Sequence, residues 1–295
     1  MTDVPGAGRF APSPSGDLHI GNLRTALLAW LWARSSRRSF FLRVEDLDRV
    51  HAGAETRQLD DLRALGLDWD EPVVRQSERL AAYADSLRLL TDAGLTYPCF
   101  CTRHEILDAP TAPHAPPGTY PGTCRNLTDA ERARRSAERP AALRLRSDTA
   151  EWTVTDDLHG SFTGVVDDFV LQRNDGVPAY NLAVVVDDAA QGVDQIVRAD
   201  DLLTSAPRQA YLAILLGHSA ATYAHVPLAV NADGARLAKR DGAVTRADLE
   251  ALGLDVFDLI VQSLGMTGSS PQDLLPRFEP GSLPAEPWVF VPPVT

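Results

Sequence analysis

Residues 9–22, RFAPSPSGDLHIGN, decide how this chain is read. A short extended run, Arg9-Phe10-Ala11, meets Pro12 and Pro14 flanking Ser13. Gly16 follows, then His19-Ile20-Gly21, and from Asn22 the sequence turns helical as NLRTALLAWLWARSS. The order is strand, constrained loop, helix. The prolines restrict φ and push the residues before them into extended backbone. Gly16 and Gly21 let the chain turn and let a ligand approach where a Cβ would clash. A helix beginning just after such a loop aims unpaired N–H groups and its positive dipole end at it, so phosphate is the expected guest.

The 295 residues suffice for one large domain or two modest ones, and the 44% hydrophobic fraction suffices for a buried core. No apolar run approaches the length needed to cross a bilayer, and the first residues, MTDVPGAG, are short and polar. A cytoplasmic, monomeric protein with no membrane partner is expected. The net charge of −12 argues against non-specific nucleic-acid binding, which needs a basic field. Local arginine clusters, Arg34, Arg37 and Arg38 and then Arg125, Arg132, Arg134, Arg135 and Arg139, still leave room for a small RNA footprint. Of the 28 basic residues the sole lysine is Lys239, in GARLAKRD. Where arginine serves everywhere else, this exception suggests a place that needs a compact charge able to follow a phosphate.

Further along, Phe40 to Glu45 alternates like a strand and ends in the acidic loop Glu45-Asp46-Leu47-Asp48-Arg49. Carboxylates at the carboxyl end of a parallel strand sit where open α/β sheets bind ligands, and an ammonium group is their natural partner. Residues 53–66 and 78–93 read as amphipathic helices, the second capped by Gly94. All three cysteines, Cys99, Cys101 and Cys124, fall in one short insertion. Three thiolates converging in a loop of little hydrophobic content suggest Zn²⁺, which takes four tetrahedral ligands. Tyr120, His104 and His114 are candidates for the fourth, and chemistry alone favours a histidine. An arginine-rich helix over 128–139 precedes short strands at 142–146, 151–155, 160–165 and 167–173. A strand ending at Arg198, a helix starting near Asp200, a core helix over 211–216, a strand over 226–230 and two helices within 246–264 follow. Seven prolines from Pro271 to Pro293 break the tail.

PSPSG-x-LHIG resembles the signature of class I aminoacyl-tRNA synthetases in the form carried by the glutamyl branch, and Arg24-Thr25-Ala26-Leu27 also matches that branch. Lys239 corresponds to the second lysine of the family's KMSKS loop. Arg236 stands for the first lysine there, and Ala238 replaces the usual serine. RVEDLDR (43–49) and the block from Asp168 to Gln209 are similar to the two halves of the glutamyl catalytic domain. The resemblance implies an α/β, doubly wound parallel-sheet (Rossmann-like) catalytic domain with a zinc-binding insertion and a short helical C-terminal part, without an anticodon-binding domain. The expected parts are 1–96 and 167–245 for the two catalytic halves, 97–166 for the insertion, and 246–295 for the helical segment and tail.

It also implies the site. L-Glutamate would be bound by Arg9, Phe10, Ala11, Pro12, Ser13, Glu45, Tyr180 and Arg198, with Glu45 on the α-amino group. ATP, carrying Mg²⁺, would be bound by His19, Gly21 and Lys239, with His19 and Lys239 catalytic. Cys-x-Cys followed by Tyr-x-x-x-Cys is similar to the zinc site of glutamyl-queuosine tRNA(Asp) synthetases, which makes Tyr120 the fourth ligand beside Cys99, Cys101 and Cys124. Asn181 stands where ordinary glutamyl synthetases tend to have histidine, again as in the queuosine branch. The implied activity is ATP-dependent activation of glutamate and its transfer to queuosine in tRNA(Asp). A free-standing enzyme charging a tRNA 3′ end and a non-catalytic nucleotide- or RNA-binding paralogue are the alternatives.

Overall fold

The opening stretch folds as strand β1 (Ala7–Phe10), a loop, and helix α1 (Ile20–Ser35) in a computed structural model that describes residues 6–108, 119–237, 241–242 and 244–292. The helix begins two residues earlier than its sequence suggests because His19 caps it. His19 Nδ1 accepts from the Asn22 backbone N–H and Asn22 Oδ1 accepts from the His19 N–H, both at 3.2 Å, a reciprocal closure of orphan donors. Twelve of the sixteen residues of α1 are buried. Apolar nearly all round, it is an internal helix rather than a surface one.

Strand β2 (Ser39–Val44), α2 (Ala54–Ala64), β3 (Val74–Arg75) and α3 (Leu80–Asp92) complete the first half. Gly94 ends α3 at φ 72°, a left-handed position that favours glycine. The middle of the chain holds β4 (Thr96–Cys99), α4 (Arg103–Leu107), α5 (Asp129–Glu138), β5 (Ala142–Leu145), the hairpin β6 (Glu151–Asp156) and β7 (Gly160–Val165), and β8 (Val170–Gln172). Then come α6 (Tyr180–Ala190), β9 (Val193–Ala199), a 3₁₀ turn over Asp200–Ser205 where a helix was expected, α7 (Ala206–Leu215) and β10 (Thr222–Val226). Pro227 supplies no N–H, so the strand expected over 226–230 is divided into β10 and β11 (Ala229–Val230). Helices α8 (Arg246–Ala251), α9 (Val256–Ser263) and α10 (Pro271–Leu274) and strand β12 (Trp288–Val289) follow.

The main sheet has the order β3-β2-β1-β9-β10-β6-β7, parallel except for β7 at one edge. Chain direction reverses its march between β1 and β9, and ligands of open α/β sheets bind in the crevice at that switch point. The β6–β7 hairpin, which the sequence groups with the insertion, hydrogen-bonds onto β10 and so extends this sheet. A separate antiparallel sheet, β4-β5-β8, carries the cysteine region. The proline-rich tail returns to the body, with β12 pairing in parallel to β11. No helix among the described residues is long and apolar enough to cross a membrane.

Beneath the switch point lies a buried charge cluster. Arg43, fully buried on β2, reaches Asp188 at 2.7 Å, Asp187 at 3.7 Å and Glu45 at 3.8 Å. Asp187 also accepts from Gln76 and from the Tyr83 hydroxyl, at 2.9 and 2.8 Å, and from Arg79. Removing one partner of such a cluster leaves buried charge uncompensated, at a cost of about 3–5 kcal/mol. Arg43→Met is therefore expected to lower unfolding free energy by that amount in urea titration. A loss below about 1 kcal/mol, the worth of an exposed pair, would show the cluster to be dispensable.

Candidate functional site

At the carboxyl ends of β1 and β9, a cleft of about 940 Å³ collects Arg9, Phe10, Ala11, Pro12, Ser13, His19, Glu45, Tyr180 and Arg198. These come from four separate stretches of chain, and each was singled out from sequence. Gly21 is different. It is buried outside this lining, and a Cβ there would meet the Ala229 side chain at 2.7 Å and His19 Nδ1 at 3.1 Å. Close packing of α1 on β11 by itself requires this glycine. Lys239 and Ala238 lie outside the described residues, as does His114. The described residues on either side of Ala238 and Lys239 do reach the site. Arg236 and Leu237 line the cleft, and beyond the lysine Val244 O accepts from Ile20 N–H at 2.8 Å while Thr245 bridges His19.

The signature loop is held from inside. Buried Gln58, on α2, donates Nε2 hydrogens to Ser13 O at 3.0 Å and Gly16 O at 2.6 Å. Gly16 itself sits at φ 147°, which favours glycine. The loop is thereby tied down while its N-cap histidine and the start of α1 stay beside the cleft.

Arg9 donates to Asp188 Oδ1 at 3.3 Å and to Val197 O at 3.2 Å, so its guanidinium has a fixed direction. Burial disfavours the charged form of Asp188, but Arg43 and Arg9 outweigh it and hold the carboxyl below its usual range. Glu45 has the opposite balance. Burial, with Asp188 and Asp187 nearby, pushes it up to about 7 against the pull of Arg43 and Arg9. Tyr180 is 42% exposed overall, but desolvation at its hydroxyl raises it, and it remains a phenol and a hydrogen-bond donor. The cleft thus offers guanidiniums for anions, one carboxylate short of compensation for a cation, and a helix start for phosphate.

A second constellation lies in the β4-β5-β8 region. The sulfurs of Cys99, Cys101 and Cys124 lie within 4.8 Å of one another. The Cys101 and Cys124 sulfurs are 3.6 Å apart, and the Tyr120 hydroxyl lies 3.3 Å from Cys99 Sγ and 3.9 Å from Cys101 Sγ. Ligands about 2.3 Å from a tetrahedral zinc stand about 3.8 Å from each other, so this donor set has the right size for one ion. Burial and the neighbouring sulfurs push the Cys101 thiol up to about 12, whereas hydrogen bonding, first from the Phe100 N–H, draws Cys124 below its ordinary range despite burial. His104 does not join them: its ring is 86% exposed and paired with Asp108 at 2.6 Å.

With this geometry in view, the comparisons are direct. The family described as tRNA synthetases class I (E and Q), catalytic domain, matches residues 7–279. The chain belongs to that family of ligases. A Glutamyl-Q tRNA(Asp) synthetase of Nocardia farcinica is 63% identical over 291 residues, covering 97% of this chain and 94% of that protein. One from Deinococcus radiodurans is 52% identical over 248 residues, covering 80% of each. Among solved structures, a glutamate tRNA ligase from Elizabethkingia meningosepticum in complex with its amino acid superposes with a TM-score of 0.79 at 25% identity, covering 97% of this chain and 67% of that one.

Several synthetase side chains escaped the sequence reading. Arg43, Gln58, Asp188, Gln209 and His225 meet site residues through partners far along the chain, and although Arg43, Asp188 and Gln209 fall in stretches that match the family, their local sequence does not show what they touch. The raised Glu45 gives a prediction. An amino acid's ammonium needs the ionised carboxylate, which is lost as pH falls through about 7. Amino-acid affinity measured by titration calorimetry is expected to fall about tenfold per unit below that pH. Glu45→Gln should bind weakly at every pH, and wild-type affinity unchanged down to about pH 5.5 would contradict the assignment.

Proposed function

We propose that this synthetase activates L-glutamate with ATP and transfers it to the queuosine base in the anticodon of tRNA(Asp). The observation that carries the first half is the convergence of Arg9, Glu45, Tyr180 and Arg198 in one cleft beside the His19 loop. Glutamate's α-carboxylate oxygen attacks the α-phosphorus of ATP, pyrophosphate departs with Mg²⁺, and glutamyl adenylate remains. His19, the start of α1 and Lys239 stabilise charge on the phosphates, which is electrostatic preorganisation rather than covalent catalysis. Glu45 holds the ammonium and the guanidiniums face the side-chain carboxylate. Gly21 would serve ATP only through its place in the first turn of α1.

A cyclopentene hydroxyl of queuosine then attacks the adenylate carbonyl and AMP leaves. The name Glutamyl-Q tRNA(Asp) synthetase, carried by the Nocardia farcinica and Deinococcus radiodurans relatives, supports this acceptor. A splayed base in a single-stranded loop is the usual target of sequence-specific RNA recognition, and a chain of net charge −12 is suited to a small footprint rather than an extended one. Pyrophosphate exchange is expected with glutamate alone, without RNA, and glutamate should attach to tRNA(Asp) only when it carries queuosine. Acylation of a tRNA 3′ end would favour the free-standing synthetase instead, and no exchange with any amino acid would leave a binding paralogue.

Zinc would be held by Cys99, Cys101, Cys124 and Tyr120, where it would join β4 to the loop after it and serve structure rather than chemistry. The short contacts of the Tyr120 hydroxyl, which also accepts from Cys124 N–H at 2.8 Å, support tyrosine over histidine. Metal analysis should find one zinc per chain, reduced in Cys101→Ser together with melting temperature; metal-free, fully stable protein would refute the site.

A further inference from the structure

Arg198 is held in an unusual way. It lies on β9 directly opposite His225 on β10 in the sheet register, and its Nε donates to His225 Nε2 at 3.0 Å. Accepting that bond requires a lone pair on Nε2, which puts the ring proton on Nδ1. Nδ1 stands 2.6 Å from Asp156 Oδ2, with both side chains completely buried. Asp156 arrives from β6, the hairpin strand whose bridge to β10 pairs it with Tyr223. Its Oδ1 accepts from Leu158 N–H and His159 N–H at 2.9 Å each, and its Oδ2 also accepts from His225 N–H at 3.1 Å. Every hydrogen bond this carboxylate makes among the described residues is one it accepts, so an amide in its place would set a donor against a donor.

Two more groups fix the guanidinium. Nη1 donates to Gln209 Oε1 at 2.7 Å and Nη2 to Leu202 O at 3.3 Å, while the Tyr223 ring lies 5.5 Å from its centre. Gln209 in turn donates to Asn181 Oδ1 at 3.0 Å. Three of the five guanidinium hydrogens are thereby used, leaving two for a ligand. All of these partners are neutral. Arg9 leans on Asp188, but Arg198 makes no ion pair among the described residues.

We propose that Asp156, His225 and Gln209 are positioning residues that orient Arg198 through uncharged acceptors, so that its full charge is spent on the side-chain carboxylate of the substrate and sets selectivity for glutamate over glutamine. The proposal rests on the glutamate reading above. A carboxylate in direct contact would orient Arg198 equally well but would neutralise it and weaken its preference for an anion. Asp156 is therefore kept one residue away, where it selects the histidine tautomer. Burial holds the imidazole below its ordinary range, with the Arg198 charge acting in the same direction and Asp156 opposing, so the ring is neutral near pH 7.

Pyrophosphate exchange with glutamate and with glutamine tests this in two variants, checked for folding by circular dichroism and thermal melting. Asp156→Asn disturbs the tautomer, and Gln209→Glu keeps an acceptor on Nη1 but supplies the charge that the wild-type site avoids. Both are expected to raise the glutamate KM about tenfold or more and to cut the glutamate-to-glutamine preference by a similar factor, with the ATP KM within about twofold of wild type. A Gln209→Glu variant that folds and keeps the wild-type glutamate KM and preference overturns the proposal, even if Asp156→Asn fails to fold. So does a fall in kcat alone in either variant. Wild-type protein that activates no glutamate removes the underlying reading, an outcome distinct from a glutamate-specific enzyme whose variants keep their selectivity.

Discussion

A guanidinium taken out of water is costly unless anions surround it, and buried anions are costly without such a cation beside them. Arg43 is in that position, fully buried among Asp188, Asp187 and Glu45. Its consequences reach the cleft by two routes. Asp188 is shared between Arg43 and Arg9, which orients the first guanidinium of the site. Glu45 is left at the far side of the cluster, under-compensated and pushed up to about 7. A ligand ammonium placed there would supply the missing charge. Binding of such a ligand would complete an electrostatic balance that folding leaves incomplete.

The second guanidinium follows a different design. Arg198 is directed by a histidine and an amide, with the Asp156 carboxylate one side chain removed. The contrast explains the β6–β7 hairpin, since its attachment to β10 delivers Asp156 behind His225. The polypeptide around residue 244 ties the other wall of the cleft to the N-cap of α1. The tail strand β12 then anchors β11 beside it.

What was legible in the sequence was local. Pro12, Pro14, Gly16 and His19 stand within one turn of chain, and their conformational demands can be read without knowing what packs on them. The helices and strands with clear periodicity fell close to their expected places, with α5 running between its caps Thr128 and Arg139. The reading was weaker where a tertiary contact overrides a local signal. Gly21 is a glycine because Ala229, more than 200 positions away, presses on it. A tail broken by seven prolines is unsuited to a helical domain, yet two of its residues pair with β11. Arg43 looks like any strand arginine, and Asp187 and Asp188 like a polar helix end, until the sheet brings them together. Tyr120 is intermediate: a histidine was the better chemical guess, but the phenol is the oxygen that lies against the sulfurs.

The central claim is that the cleft is built around an acidic amino acid, with its ammonium at Glu45, its side-chain carboxylate at the paired guanidiniums, and its adenylate against the His19 loop. A crystal structure with a non-hydrolysable glutamyl-adenylate analogue measures this most directly. The account predicts an ammonium-to-Glu45 hydrogen bond, the side-chain carboxylate on Arg198 and Arg9, and the phosphate analogue beside His19 and the start of α1. An analogue bound with its side chain turned away from both arginines, or with its nucleotide outside the His19 loop, would contradict it.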